Sequence, residues 1–516
     1  MAPGTLSRND NMDTVLHEWT LAWLAHQLVQ DPLHLFDTNI FYPDRLTLAY
    51  SDHLFIPGIF VVPLIWIGLS PVLVYNLLLI AGLTLTGWVM SLVIYRWTAN
   101  RMAGLLSGSL VAFNAFTLTR FPQIQDQHLE FLPLALLALD RLVRVPSLRH
   151  SLSLAGWFVL QALTTGYWLL FTTVAMVAGA ASRAGEWATR ARWSFAPCAG
   201  LAGIAAGVIM LPFLLPYWRV SREEGLTRSL EEVSRYSAHI GNYLATGGRL
   251  HFDLWSHRFY TTGAESLFPG LIALSLAAVA VGSGVAFRDV RARMALAFGV
   301  VAFALSFGPA FPGYTILYES FPLMTGIRGA SRFGQLWLVA IAILAGFGWV
   351  KLRHLLSGTA VAATRRTVIS LGVAVLVAVH LEAIRAPVSY TEYRGIPAAW
   401  SELRSTGKSA VLALFPFYAP DEVFRNGRYM LYSTLSFKPM LNGFSGFTPQ
   451  SYRRHAEALR QFPDQESISY LRKEGVTHVV VEGHLISEPR LAEIDRNPAL
   501  QLVFTDSSLR IFILTK

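Results

Sequence analysis

Residues 71–95 read PVLVYNLLLIAGLTLTGWVMSLVIY, a run without one charged side chain, and residues 96–101 that follow read RWTANR. About 20 consecutive apolar residues suffice to cross the hydrocarbon core of a bilayer as a helix. A basic cluster directly behind such a run marks its cytoplasmic end. Further apolar stretches occupy 102–118, 129–144, 151–164, 166–182, 194–217, 268–286, 294–309, 335–350 and 367–384. Together they predict a polytopic α-helical membrane protein with about ten transmembrane helices. The pair at 151–182 reads equally as one long span with a half-span behind it.

Composition agrees. Of 516 residues 53% are hydrophobic and 15% charged, against about 25% charged in soluble domains. That scarcity of charge excludes an ordinary soluble enzyme, a disordered scaffold and a nucleic-acid binder. The net charge of +9 fits the basic cytoplasmic loops of a membrane protein. The one cysteine, Cys198, lies inside an apolar run, so no intramolecular disulfide and no Cys-based zinc site can form.

Charge placement orients the chain. The segments 96–101, 141–150, 183–193, 287–293 and 351–366 hold 15 Lys and Arg in 50 residues, including Arg96, Arg144, Arg190, Arg291 and Lys351. The alternate segments 1–53, 119–128, 218–267 and 310–334 hold 11 in 138 residues. This nearly fourfold contrast in density assigns the first set to the cytoplasm. The N-terminal segment, the 218–267 loop and everything after 384 then face outward. Residues 54–69 are apolar but carry Pro57 and Pro63. They read as a helix lying at the outer interface, since a span there would invert the charge pattern downstream. Residues 1–12 contain no apolar signal-peptide core, so the acidic start is expected to cross as a translocated tail, or else behind a spanning helix encoded upstream.

The organisation expected is an outer first loop with interfacial helices over 1–70, a transmembrane bundle over 71–384, and an extracytoplasmic α/β domain over 385–516. The last segment holds 29 of the 75 charged residues in 132 positions. Strand-like runs there are Val411–Phe415, Tyr429–Leu435, Val476–Val481, Leu500–Phe504 and Leu509–Leu514. Glu466–Glu474 and Pro489–Asp495 read as helices. No nucleotide-binding glycine fingerprint, P-loop, HExxH or GxSxG occurs.

Chemistry-bearing residues gather in the outward segments. Asp10, Asp13, Glu18, Asp31, Asp37, Asp44 and Asp52 face only Arg8 and Arg45 in the first 53 positions. Asp13 and His17 share a helical face with Thr20, beside an apolar stripe of Trp19 and Trp23. A carboxylate at the water–membrane boundary is placed to act as a general base, while Asp31, Asp37 and Asp44 read as solvated loop acids. The second loop, RFPQIQDQHLE at 120–130, puts Asp126, His128 and Glu130 at the mouth of the bundle, where ionisable groups are costly unless used or wet. His128 reads either as a donor to a phosphate oxygen or as a hydrogen-bonded interface histidine. Arg328 and Arg332 stand four apart before a span and suit forked contacts with a phosphate, with snorkelling interface arginines as the plainer reading.

These elements resemble bacterial polytopic glycosyltransferases of the GT-C superfamily. The resemblance rests on Asp13 followed by Trp19 and Trp23, on LFDTNIFYP at 35–43, on TLAYSDH at 47–53, on the Gln-x-His loop ending at His128, on Arg235-Tyr236-Ser, on IRGASRF at 327–333 and on YLRKEGVTH at 470–478. It implies a polyprenyl-phosphate-sugar donor, an inverting attack by an acceptor hydroxyl, and a multi-pass protein of the bacterial cytoplasmic (inner) membrane. Asp13 matches the first-loop acid, with Glu18, Asp10 and Asp52 as stand-ins. Arg328, Arg332 and His128 match the donor-phosphate binders. His17, His53, Asp126, Arg235 and Tyr236 match acceptor or cavity positions. The implied partners are the lipid-linked sugar, a glycan, lipid or protein acceptor, and membrane lipids. No metal-binding DxD stands in an outer loop, so a divalent ion is possible in kind but not indicated.

Two other classes compete. A lipid-sugar transporter would show internal repeats and mid-membrane charges; no repeat is evident, and Asp140 lies near the cytoplasmic end of its span. A non-catalytic scaffold presenting the C-terminal domain would leave Asp13, His128 and Arg328 unrelated. The orientation itself is testable. A reporter active only in the cytoplasm should be silent when fused at Lys516, and a bright signal would invert the topology.

Overall fold

The computed structural model describes residues 6–8, 12–188, 192–260, 266–357, 365–385, 390–407 and 409–515. Among them five helices are long and apolar enough to cross a membrane: Pro71–Thr98, Arg101–Thr119, Ser194–Glu223, Ala330–Leu356 and Arg366–Ala383. The other predicted spans are helical but shorter, at Phe131–Arg144, Leu148–Ala162, Gly166–Ala181, Leu271–Gly282 and Val290–Ser306. The ambiguous stretch resolves into two helices because Thr165 accepts a hydrogen bond from the Tyr167 amide and starts the second one afresh. Residues 54–69 contain one twelve-residue helix, Phe55–Trp66.

The chain forms two compact units. One comprises 78–212 and 226–388, the other 1–77, 213–225 and 389–516. In the helical unit Ala330–Leu356 is the most enclosed span and Arg366–Ala383 the least. Close packing relies on small residues, as in membrane bundles where apolar lipid removes the usual drive for association. A Cβ at Gly348 would stand 1.8 Å from the Leu276 carbonyl oxygen, and one at Gly108 would stand 2.3 Å from that of Gly87. Neither backbone could approach so closely past any other residue.

In the second unit the termini interleave. Backbone strands Leu6–Arg8 and Tyr390–Glu392 pair antiparallel. Further along the first segment, the amides of Phe41 and Tyr42 donate to the carbonyls of Asn442 and Met440 at 3.1 and 2.9 Å. The Asn39 amide side chain reaches Ser433 and the Lys438 carbonyl. A four-stranded sheet runs in the order 412–415, 478–481, 510–514, 500–505, with the first pair parallel and the rest antiparallel. Its core is built by Val411, Ala413, Phe415, Val479, Val481 and Phe512 against Leu459, Phe462, Ile468 and Leu471.

One expected strand is a helix. Tyr429–Leu435 lies largely within Gly427–Ser433. Its aromatic residues Tyr429 and Tyr432, three apart, both pack on Trp400, which suits one face of a helix and not the alternating faces of a strand. The four other expected strands and both expected helices are present within one to two residues.

His455 ties this unit together. Its ring bridges the Tyr470 hydroxyl at 2.8 Å and the Tyr42 carbonyl at 3.1 Å. Burial holds its pKa below the ordinary 6.5. The unfolded chain therefore takes up this proton first on acidification, so stability drops as pH falls through that value. Protection factors of the amides of 412–415 and 478–481, corrected for the intrinsic pH dependence of exchange, should fall between about pH 7.5 and 5.5. The His455→Gln variant should show a flatter dependence, and an unchanged slope would remove His455 from the account.

Candidate functional site

Two sets of functional side chains are described, one in each unit. In the first, the helix Asp13–Gln30 is enclosed nearly all round. Asp13 occupies its first turn and is half-buried, where the helix dipole favours negative charge. Glu18 is sealed in at 1% exposure. Its charge lies near Tyr393, whose pKa is pushed up to about 12 first by burial and then by Glu18. His17 stacks on Tyr75, and its Nδ1 has no hydrogen-bond partner among the described residues. Trp19 and Trp23 stack on each other and donate to Asn39 and to the Leu35 carbonyl, fixing the helix against the loop that follows.

Other acids of the first segment have structural work. Asp31 pairs with His34 at the surface. Asp37 accepts from the Leu46 amide. Asp44 accepts from the hydroxyls of Ser451 and Tyr50, and burial raises its pKa despite those bonds. His53, proposed above for a cavity, is held in an aromatic cage: Nδ1 meets the Tyr217 hydroxyl at 2.9 Å and the ring stacks on Phe55. Asp52 beside it is half-buried. Asp10 lies outside the described residues.

In the helical unit the loop 120–130 is folded on itself by the short turn Ile124–Asp126. That turn brings Asp126 back to Arg120, whose Nε donates to Oδ2 at 2.6 Å with both side chains buried. His128, at 2% exposure, uses both ring nitrogens. Nε2 lies 3.1 Å from the Leu78 carbonyl and Nδ1 lies 2.9 Å from Glu130 Oε1. A carbonyl only accepts, so Nε2 carries a proton and the Nδ1–Glu130 contact shares the other. No nitrogen is left for a phosphate. Gln161 locks the loop further, donating to the His128 carbonyl and accepting from the Leu132 amide.

Arg120 lies in the same loop. It sits over the Phe116 ring, while Arg332 sits over the Tyr167 ring at 4.3 Å. Burial and then the charge of Arg332 pull the Arg120 guanidinium below its usual range, and Asp126 opposes them. Two guanidinium groups thus stand within electrostatic reach of each other. The segment bearing Arg332 is tethered by Ser331, whose amide donates to the Tyr236 carbonyl at 3.1 Å, and by Gly329, whose amide reaches the Tyr167 hydroxyl. Gln335 donates to the Asp126 carbonyl, joining the two loops. The side-chain oxygens of Gln125 and Tyr314 are buried without a partner among the described residues.

Arg328 is exposed and lies over the Tyr236 ring at 5.2 Å. Arg235 is at the surface, paired with Glu231 and not with any residue of this cluster. A separate small cavity of about 30 Å³ is lined by Asn114, His251, Glu382 and Arg385, among apolar neighbours. None of the residues singled out from the sequence lines it. Glu382 accepts from His251 and from the Leu271 and Ile272 amides, closing the start of a helix. Among the described residues no three His, Cys, Asp or Glu side chains cluster so as to hold a metal ion.

No protein-family model and no curated protein matches the chain in sequence. Solved structures do match. The arabinofuranosyltransferase AftD from Mycobacteria aligns over 100% of this chain and 38% of its own, with a TM-score of 0.64 at 14% identity. An oligosaccharyltransferase from Archaeoglobus fulgidus aligns over 90% of this chain and 65% of its own, with a TM-score of 0.51 at 12% identity. ArnT from Cupriavidus metallidurans, solved bound to undecaprenyl phosphate, aligns over 99% and 94%, with a TM-score of 0.50 at 12% identity. The chain thus spans less than two thirds of the length of the first two. Five apolar spans, a small sheet near the C-terminus and these likenesses together give the chain the fold of the GT-C glycosyltransferases.

Proposed function

We propose that the chain is a membrane glycosyltransferase that moves a sugar from a polyprenyl-phosphate carrier to an acceptor hydroxyl on the extracytoplasmic side, with inversion at the anomeric carbon. The observation that carries this is the likeness in fold to ArnT, solved bound to undecaprenyl phosphate, beside two loop arginines of this chain, Arg120 held by Asp126 and Arg332 over the Tyr167 ring. A lipid phosphate of the kind bound in ArnT is an anion of the right chemistry for guanidinium forks.

The chemistry follows from charge flow. An acceptor hydroxyl gives its proton to a carboxylate base as its oxygen attacks the anomeric carbon. The bond from that carbon to the phosphate oxygen breaks, and the electron pair leaves with the carrier. The phosphate gains one negative charge in that step, so fixed guanidinium groups stabilise the transition state more than the bound donor. Asp126 holds the Arg120 fork in orientation. His128 and Glu130 hold the loop. Arg328, exposed, adds a third positive charge for the approaching headgroup. Asp13 suits the base better than Glu18 because it is reachable, whereas Glu18 is enclosed.

Purified protein incubated with radiolabelled polyprenyl-phosphate sugars and a panel of acceptors should release carrier and form product. Failure of every donor to turn over would favour a non-catalytic scaffold. Asp13→Asn should lower kcat by about 100-fold or more with donor binding retained, and near-normal turnover would move the base to Glu18 or Asp52. Arg332→Ala should raise the KM for donor about tenfold or more and also lower kcat. Arg328→Ala should act mainly on KM. Equal and small effects of both arginine variants would overturn the phosphate assignment.

A further inference from the structure

At the end of the helical unit that the charge pattern assigns to the cytoplasm, basic residues of four segments converge. Arg96 and Trp97 close the helix Pro71–Thr98, Arg141 and Arg144 close Phe131–Arg144, His150 lies in the first turn of Leu148–Ala162, and Arg291 lies in the first turn of Val290–Ser306. Together with Leu137 and Val145 they line an open cleft of about 340 Å³, at the lower end of the roughly 300–1,000 Å³ of small-ligand sites.

The floor of this cleft is a charge network with too few carboxylates. Asp140, at 0% exposure, accepts from Arg144, from Arg183 at 2.6 Å and from Arg291 at 3.3 Å. Arg183 and Arg293 share Glu186. Arg96 and Arg141, both exposed on the rim, have neither an ion pair nor a hydrogen bond among the described residues. Six guanidinium groups therefore face two carboxylates. The indole N–H of the buried Trp97 is also a donor without an acceptor among the described residues. Excess cations, an unsatisfied donor and open space at one place call for an anionic acceptor. At a bilayer surface the abundant one is a lipid phosphodiester.

We propose that this cleft binds the phosphodiester headgroup of an anionic phospholipid of the cytoplasmic leaflet, with Arg96 and Arg141 gripping the phosphate and Arg144 and Arg291 lending charge from the floor. The proposal is independent of the glycosyl-transfer reading. Arg96 and Arg141 hold no part of the Asp140 network, so replacing them leaves the fold's own ion pairs intact.

The full chain in detergent is titrated with phosphatidylglycerol, with phosphatidylcholine and with glycerol phosphate, and bound species are counted by native mass spectrometry. Phosphatidylglycerol should be retained over phosphatidylcholine. In the double variant Arg96→Gln, Arg141→Gln its affinity should fall about tenfold or more, while Arg96→Lys, Arg141→Lys should keep part of it. Equal retention of both lipids, or equal phosphatidylglycerol affinity in wild type and the glutamine variant, would overturn the proposal. Tight binding of glycerol phosphate without preference for phosphatidylglycerol would also overturn it, assigning the cleft to a soluble phosphate ester.

Discussion

A carboxylate enclosed among apolar helices is tolerated only when a cation or several donors meet it, and the helical unit is organised around four such meetings. Asp126 with Arg120, Glu130 with His128, Asp140 with Arg144, Arg183 and Arg291, and Glu382 with His251 each tie a loop or helix end to its neighbours. Removing one partner would leave an uncompensated charge, the costly half of a broken buried pair. The apolar surfaces supply the drive toward a bundle, but they do not decide which loop folds back where. The pairs do.

Two of these meetings differ in what they leave over. At His128 and Glu130 the proton count closes, and nothing remains to recruit a ligand. At Arg120 and Asp126 the charge of Arg332 also reaches the guanidinium and opposes the effect of the carboxylate. Several guanidinium groups also meet around Asp140 at the other end of the unit. A common physical logic joins the two places: a buried carboxylate orients a guanidinium at the end of a loop or helix. What differs is the surface each faces, by the charge pattern of the loops.

Much of this was legible in the chain itself, and the limits have physical causes. Apolar runs and their caps located the helices, because both the period and the breakers are local. The loop 120–130 could be read as ionisable residues at a mouth, but their partners could not. Arg120 reaches Asp126 only through the turn at Ile124–Asp126, and Arg332 comes to Arg120 across 212 positions of sequence. In the chain alone His128 reads as a third phosphate ligand, and nothing singles out Arg120. Arg96, Arg141 and Arg291 were readable as markers of sidedness, whereas their gathering over Asp140 depends on how four helix ends meet. The segment Tyr429–Leu435 misled because aromatic residues favour strands on average, while here Trp400 offers Tyr429 and Tyr432 one common face.

The central claim is that a lipid-linked phosphate sits between Arg120 and Arg332. Photocrosslinking with a polyprenyl phosphate carrying a diazirine next to the phosphate, followed by peptide mapping, addresses it directly. The account predicts labels within 116–128 and 327–335, lost on competition with unlabelled polyprenyl phosphate and weakened in Arg332→Ala. Labels confined to other segments, or undiminished in that variant, would contradict it.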